Sequence, residues 1–237
     1  MSFADLHRPG DPLLLPNAWD YGSAAILAAQ GFSAIGTTSL GVAVAAGLPD
    51  GQGATREETV RLAKSLRRLP CYLTIDIEQG FADEPPAVAD LVTELGADGI
   101  NLEDGLTDPD LLCRKIKAVK RANPGVFVNA RTDTYWLNQP SAEETRRRLN
   151  LYLEAGADGI FVPGLKDPAV IEDLARLAPL NLLHGMPLKQ LADLGVARVS
   201  TGSLLYRMTL GTLRGWAQGD AGTPSYEEVV GLSALSA

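Results

Sequence analysis

The chain repeats itself, and that repeat restricts the possible fold more than any other feature. Glu94-Leu95-Gly96-Ala97-Asp98-Gly99-Ile100 returns almost letter for letter as Glu154-Ala155-Gly156-Ala157-Asp158-Gly159-Ile160, with looser copies at 28–35 and 191–199. In each copy a helical pattern stops at a glycine and a short apolar run begins a few residues later; glycine suits the left-handed residue that closes a helix. Between the copies lie four more apolar runs, at 13–16, 71–77, 126–130 and 180–183, each with a proline just upstream. Interleaved, the two sets predict strands at 13–17, 33–37, 71–76, 98–102, 126–130, 158–162, 180–183 and 197–200. Helices are expected at 56–68, 86–95, 109–122, 142–155, 168–177 and 188–194, several opening on a cap-like residue before Glu or Pro. After Thr37-Thr38-Ser39-Leu40-Gly41 the chain reads as a loop of small residues ending in Pro49-Asp50-Gly51. Strict strand–helix alternation means a parallel sheet, and eight units close into a (β/α)8 TIM barrel, one domain over 1–237. The runner-up, a doubly wound open sheet, calls for a glycine-rich first turn, and Asn17-Ala18-Trp19-Asp20 is not one.

Composition limits the partners. The hydrophobic share of 46% supports a large core, and a net charge of −8 without basic runs argues against nucleic acid or an anionic membrane. Cys71 and Cys113 form no metal or redox pair, and Cys113 is expected to pack within a helix. The start Met1-Ser2-Phe3-Ala4-Asp5 shows no signal-peptide pattern, so the expectation is a cytoplasmic protein.

In such barrels chemistry sits where strands run into the following loops. Those positions hold Asn17, Trp19 and Asp20; Thr37-Thr38-Ser39-Leu40; Asp76-Ile77-Glu78; Glu103-Asp104; Arg131-Thr132-Asp133; His184; and Ser200. By strand alternation Asp76 and Glu78 share a face, and with Glu103 and Asp50 they would meet on one rim. Carboxylates that close resist ionising together, and a hard cation resolves the conflict. Oxygen ligands without a histidine cluster favour Mg²⁺, or Mn²⁺, over Zn²⁺. Arg131 is placed to grip a substrate carboxylate with two prongs. The blander alternative is helix capping, and it is the expectation for Asp20, Asp104 and Asp133.

Pro16-Asn17-Ala18-Trp19-Asp20, Thr37-Thr38-Ser39, Pro49-Asp50-Gly51, Asp76-Ile77-Glu78, Asn101-Leu102-Glu103-Asp104, Asn129-Ala130-Arg131-Thr132-Asp133 and Gly195-Val196-Ala197-Arg198-Val199-Ser200 together resemble the isocitrate lyase/phosphoenolpyruvate mutase superfamily, in order from about residue 12 to 215. The resemblance implies a 2-oxo acid site built on Mg²⁺. By position Asp76 would touch the metal, and Asp50, Glu78 and Glu103 would hold its waters. Thr38, Ser39 and Leu40 would bind the substrate carboxylate, Arg131 would neutralise its charge, and Asn17 and Trp19 would shape the pocket. It also implies a homotetramer, with a helical segment in 203–237 exchanged between subunits.

Departures from the family narrow the reaction. The lyase gate motif that supplies a catalytic cysteine is absent from Glu103-Asp104-Gly105-Leu106-Thr107-Asp108-Pro109, as is the mutase loop with its lysine. What remains is a short-loop lyase or decarboxylase acting through an enolate on a small 2-oxo acid, oxaloacetate-like or a 2-oxo dicarboxylate. His184 is the expected proton-transfer residue, ahead of Tyr135. The alternatives are a phosphoenolpyruvate or phosphonate enzyme, and a non-catalytic binder of 2-oxo acids.

Overall fold

The structure is a computed structural model that describes residues 2–219 and 222–230. Nine parallel strands form one sheet: β1 (Leu13–Leu15), β2 (Asn17–Ala18), β3 (Ala34–Thr37), β4 (Tyr72–Asp76), β5 (Gly99–Glu103), β6 (Phe127–Arg131), β7 (Gly159–Phe161), β8 (Leu180–Leu183) and β9 (Arg198–Ser200). The order runs β1-β9-β8-β7-β6-β5-β4-β3-β2. The first and second strands are halves of the one expected near residue 15, separated by Pro16, which has no N–H to donate. Leu13–Leu15 pairs with β9 and Asn17–Ala18 with β3, so this divided strand joins both sheet ends into a (β/α)8 barrel.

Helices α1 (Tyr21–Ala29), α2 (Ser39–Ala46), α3 (Arg56–Leu66), α4 (Pro85–Leu95), α5 (Pro109–Ala122), α6 (Ala142–Glu154), α7 (Pro168–Ala175), α8 (Leu188–Asp193) and α9 (Leu204–Gln218) surround it, followed by the short α10 (Tyr226–Val230). No helix among the described residues is long and apolar enough to cross a membrane. Of the expected exchange segment 203–237, residues 220–221 and 231–237 lie outside the described residues.

The second of these helices corrects the loop expected after Gly41, since it runs on to Ala46. Leu40, Gly41, Val42 and Ala43 are all buried, so the helix shows no polar stripe and hence no amphipathic period to read. Gly41 is required by contact: a Cβ there would stand 2.7 Å from that of Trp19.

Strand alternation sorts the core into two regions. Ile75, Ile100, Leu102, Val128, Ala130, Ile160, Leu182 and Val199 face outward under the helices and form the main apolar core with Val88, Leu91, Ile116, Leu149 and Ile171. Residues facing the barrel axis are largely polar. Asn129 Nδ2 donates to Asn101 Oδ1 at 2.9 Å, and fully buried Arg198 donates to the same oxygen at 3.2 Å. Burial lowers the Arg198 pKa to about 9, against an opposing pull from Asp76, so it remains a cation at neutral pH beneath the acidic end of the barrel.

Candidate active site

Strands β4 to β9 deliver their last residues to a cavity of about 260 Å³, the size for a small ligand. Four carboxylates line it, on Asp50, Asp76, Glu103 and Asp133, against one lining cation, Arg131. Asp76 ends β4. Its carboxylate accepts from the Glu78 amide at 3.2 Å and from the Ser39 amide at the start of α2. Burial raises its pKa, Arg131 lowers it less, and Asp50 adds to the rise. Glu103 ends β5 and is pushed up to about 8, first by burial, then by nearby Asp133 and Asp76, against the opposing pull of Arg131. One guanidinium cannot offset this many buried acids, which is the physical case for a missing positive charge.

Arg131 sits between two of them. Its Nη1 lies 2.8 Å from Glu103 Oε2 and its Nε 2.7 Å from Asp133 Oδ1, with Phe161 and Trp136 rings 5.6 and 5.9 Å from the guanidinium carbon. It faces the cavity as expected, but Nε and Nη1 are spent on protein carboxylates. Asp50, from the loop after α2, has Oδ2 bonded by the Tyr226 hydroxyl at 2.7 Å while Oδ1 is buried without a partner.

Thr38, Ser39 and Leu40 line the cavity at the start of α2, whose cap residue Thr38 makes no side-chain bond to its own helix. The first amides there present the positive end of a helix dipole, a fit for a carboxylate. Asn17 also lines the cavity, yet its side chain is a fastener: Nδ2 donates to Thr37 O at 2.7 Å, and Oδ1 accepts from the Thr201 and Gly202 amides at 3.0 and 2.9 Å.

Several expectations are not met. Glu78 does not share the Asp76 face: β4 ends at Asp76 and Glu78 takes φ 49°, so alternation stops there. Its carboxylate accepts from Gly53 N at 2.9 Å and Thr55 Oγ1 at 2.8 Å, which anchors the loop before α3. Trp19 stands behind the cavity, edge-on to Tyr206 at 5.0 Å, and does not line it. His184 is exposed: on β8 it is Leu183 that turns inward. Tyr135 lies outside the lining too.

Of the three expected caps, Asp20 does cap α1, accepting from Ser23 N at 2.7 Å. Asp104 and Asp133 do not cap helices. Asp133 pairs with Arg131, and fully buried Asp104 is a hub that accepts from Thr132 Oγ1 (2.7 Å), Tyr152 Oη (2.8 Å), Arg148 Nη1 (3.1 Å) and two backbone amides. Cys113 is buried in α5 as expected, its thiol raised by burial.

Sequence reading missed Tyr226 and Trp136, whose rings meet edge-on at 5.2 Å at the cavity. The two lie 90 residues apart in the chain, and no local pattern announces their meeting.

Among the described residues, no three acidic, histidine or cysteine side chains close into a full ligand set. The donors present still fit Mg²⁺, which keeps several waters and takes one or two carboxylates. Burial raises the Asp76 and Glu103 carboxyls above their ordinary range, and Asp50 has an unpartnered oxygen.

The fold and these strand-end acids define an α/β barrel with its site at the C-terminal ends of the strands, where enzymes of this architecture work. A family model described as phosphoenolpyruvate phosphomutase matches residues 3–219. The chain belongs to the phosphoenolpyruvate mutase/isocitrate lyase superfamily, whose members are enzymes that include lyases, mutases and hydrolases. It is 51% identical over 215 residues to the uncharacterized protein Rv1998c of Mycobacterium tuberculosis (strain H37Rv), covering 87% of this chain and 83% of that one. To 2-methylisocitrate lyase of Bacillus subtilis (strain 168) it is 34% identical over 201 residues, covering 78% of this chain and 66% of the lyase. A phosphonopyruvate hydrolase structure in complex with oxalate and Mg²⁺ shares the fold, with a TM-score of 0.80 at 22% identity, covering 100% of this chain and 96% of that one.

Proposed function

We propose that the chain is a Mg²⁺-dependent carbon–carbon lyase or decarboxylase that acts on a small 2-oxo acid through an enolate. The observation that carries this is the gathering of Asp76, Glu103 and Asp50 at one cavity beside the open start of α2. Asp76, Glu103 and Asp50 would hold the ion, while Glu78 keeps the 53–55 loop in place. When bound, Mg²⁺ (or Mn²⁺) supplies Lewis-acid withdrawal of electrons from the oxo group. The hydrolase of the same fold, crystallised with oxalate and Mg²⁺, supports a metal and a two-carbon diacid as a probe of this site.

The residues of the chain divide the remaining work. The Leu40 amide and the Thr38 and Ser39 hydroxyls at the start of α2 hold the carboxylate, and Arg131 places positive charge beside the oxygen that becomes an enolate. Trp136 and Tyr226 shield the cavity from water. Tyr226 replaces His184 and Tyr135 as the proton-carrying side chain that faces the reaction, since burial and Asp50 keep its phenol protonated. A phosphonate-forming reading has less support, because no lysine is among the cavity's lining residues.

The test is turnover of oxaloacetate and a panel of 2-oxo and 4-hydroxy-2-oxo acids with Mg²⁺, followed by product analysis. Consumption that EDTA abolishes is the expected result. Binding of the whole panel without loss of any member would leave a non-catalytic binder in its place.

We propose a homotetramer in solution as well. In the isolated chain α9 leaves Trp216 90% and Leu213 61% exposed, a costly surface unless covered. Light scattering at four times 25.1 kDa is the expected reading; a monomer mass removes the proposal.

A further inference from the structure

Arg198, on β9, is a buried cation with most of its donors out of use. It is 1% exposed, Nη2 donates to Asn101 Oδ1 at 3.2 Å, and Nε and Nη1 have no partner. A guanidinium buried against one neutral oxygen costs stability. What the bond does achieve is to fix the direction of the Asn101 amide.

Arginine can only donate, so the Asn101 atom that faces it is the oxygen. Asn129 Nδ2 donates to that same oxygen at 2.9 Å. With both donors on Oδ1 the amide cannot turn over, and its NH₂ group faces away from them. Among the described residues no acceptor meets Nδ2. Nor is it sealed in, as the unpartnered atoms of Asn181 and Arg198 are, so its N–H bonds open onto the cavity that Asn101 lines.

Strand register sets where this donor stands. Asn101 is level with Asp76 on β4 and with Asn129 on β6, and it precedes Glu103 by two residues on its own strand. A cavity lined by four carboxylates thus carries a neutral N–H donor beside the acids that would hold a cation. The acceptor such a donor suits is a negatively charged oxygen brought there by that cation.

From the Arg198–Asn101 bond, we propose that Asn101 Nδ2 donates a hydrogen bond to an anionic oxygen of the bound acid, and that Arg198 is a positioning residue that holds the amide in that direction. This rests on the 2-oxo acid reading above and deepens it: the acid is held from β5 as well as from the start of α2. Asn101 adds no charge of its own and needs no change of protonation to do so.

Calorimetry on the full chain with Mg²⁺ and oxalate tests both parts. Every outward atom of oxalate is an acceptor, so its orientation in the cavity does not affect the reading. Asn101→Ser removes the donor without adding charge. Oxalate affinity is expected to fall about 10–100-fold, the range for a hydrogen bond to a charged group, with Mg²⁺ affinity unchanged. Asn101→Asp keeps the oxygen that Asn129 and Arg198 use and exchanges only the outward NH₂ for an acceptor, so it should abolish oxalate binding even if the serine variant does not fold. Arg198→Met is of similar length and removes a buried charge, so circular dichroism melts should show a folded barrel. It should weaken oxalate binding in the wild-type background, and weaken it less once Asn101→Ser is present, because the amide it directs is gone.

Oxalate binding of wild-type strength in either Asn101 variant overturns the inference and leaves the 2-oxo acid site standing. So does a fall in Mg²⁺ affinity large enough to account for the loss of oxalate in Asn101→Ser. Equal costs of Arg198→Met in the two backgrounds overturn its positioning role. Failure of oxalate to bind the wild-type chain with Mg²⁺ overturns the site and this inference with it.

Discussion

Asp76→Asn is expected to abolish Mg²⁺ binding, and 2-oxo acid binding with it, while the barrel stays folded. Asp76 is the carboxylate at which the acidic side, the start of α2 and the turn at Glu78 meet. Outer-sphere partners of a metal ligand are commonly worth about 10–100-fold in affinity, so the ligand itself should cost more than that. Stability should move little. Burial already disfavours the charged carboxylate at this position, and asparagine keeps one oxygen to accept an amide bond. Titration calorimetry with Mg²⁺ and oxalate, beside circular dichroism melts of the same samples, reads both halves. Wild-type affinity for Mg²⁺ in a folded variant would take Asp76 out of the metal site.

Arg131→Met is the second large effect, and it falls on stability. The side chain is 14% exposed and bridges Glu103 and Asp133, whose side chains are 12% and 3% exposed. Removing one partner of a buried ion pair leaves charge uncompensated and costs about 3–5 kcal/mol. The midpoint of urea unfolding should fall accordingly, and adding Glu103→Gln to the variant should restore part of the loss. Arg131→Lys keeps the charge but not the planar fork, so it is expected to hold one of the two acids and fall between wild type and methionine. An unchanged midpoint in Arg131→Met would mean that these carboxylates are protonated in the folded protein and need no cation.

The expectation that Arg131 grips the substrate with two prongs illustrates where sequence reading stopped. The sequence places an arginine at the end of β6 among acids; it does not say which acids claim it first. The pairing with Asp133 two residues on was within reach of strand alternation. That with Glu103 depends on the β5–β6 register, in which the two residues are direct neighbours. Glu78 shows the opposite failure. Alternation was extended two residues past the true end of β4, into a left-handed residue that no side-chain pattern announces. His184 fell to the same rule applied correctly, since Leu183 faces in and its successor faces out.

The glycine repeats were reliable because their cause is local. Gly96 closes α4 at φ 55°, and a Cβ there would also run into the Arg67 guanidinium. A helix stop, a short apolar run and another helix follow from the next few residues alone, so strand and helix order, parallel pairing and the rim on which the acids fall were all legible from the chain. Long-range contact decided the rest. Tyr226 reaches Asp50 across 176 residues, Asn17 ties β2 to a loop 184 residues away, and a helix of small apolar residues without a polar stripe hides its own period. Local backbone preference is written into neighbouring residues, whereas the direction in which a strand-end side chain points, and the partner it meets there, exist only once the barrel has closed.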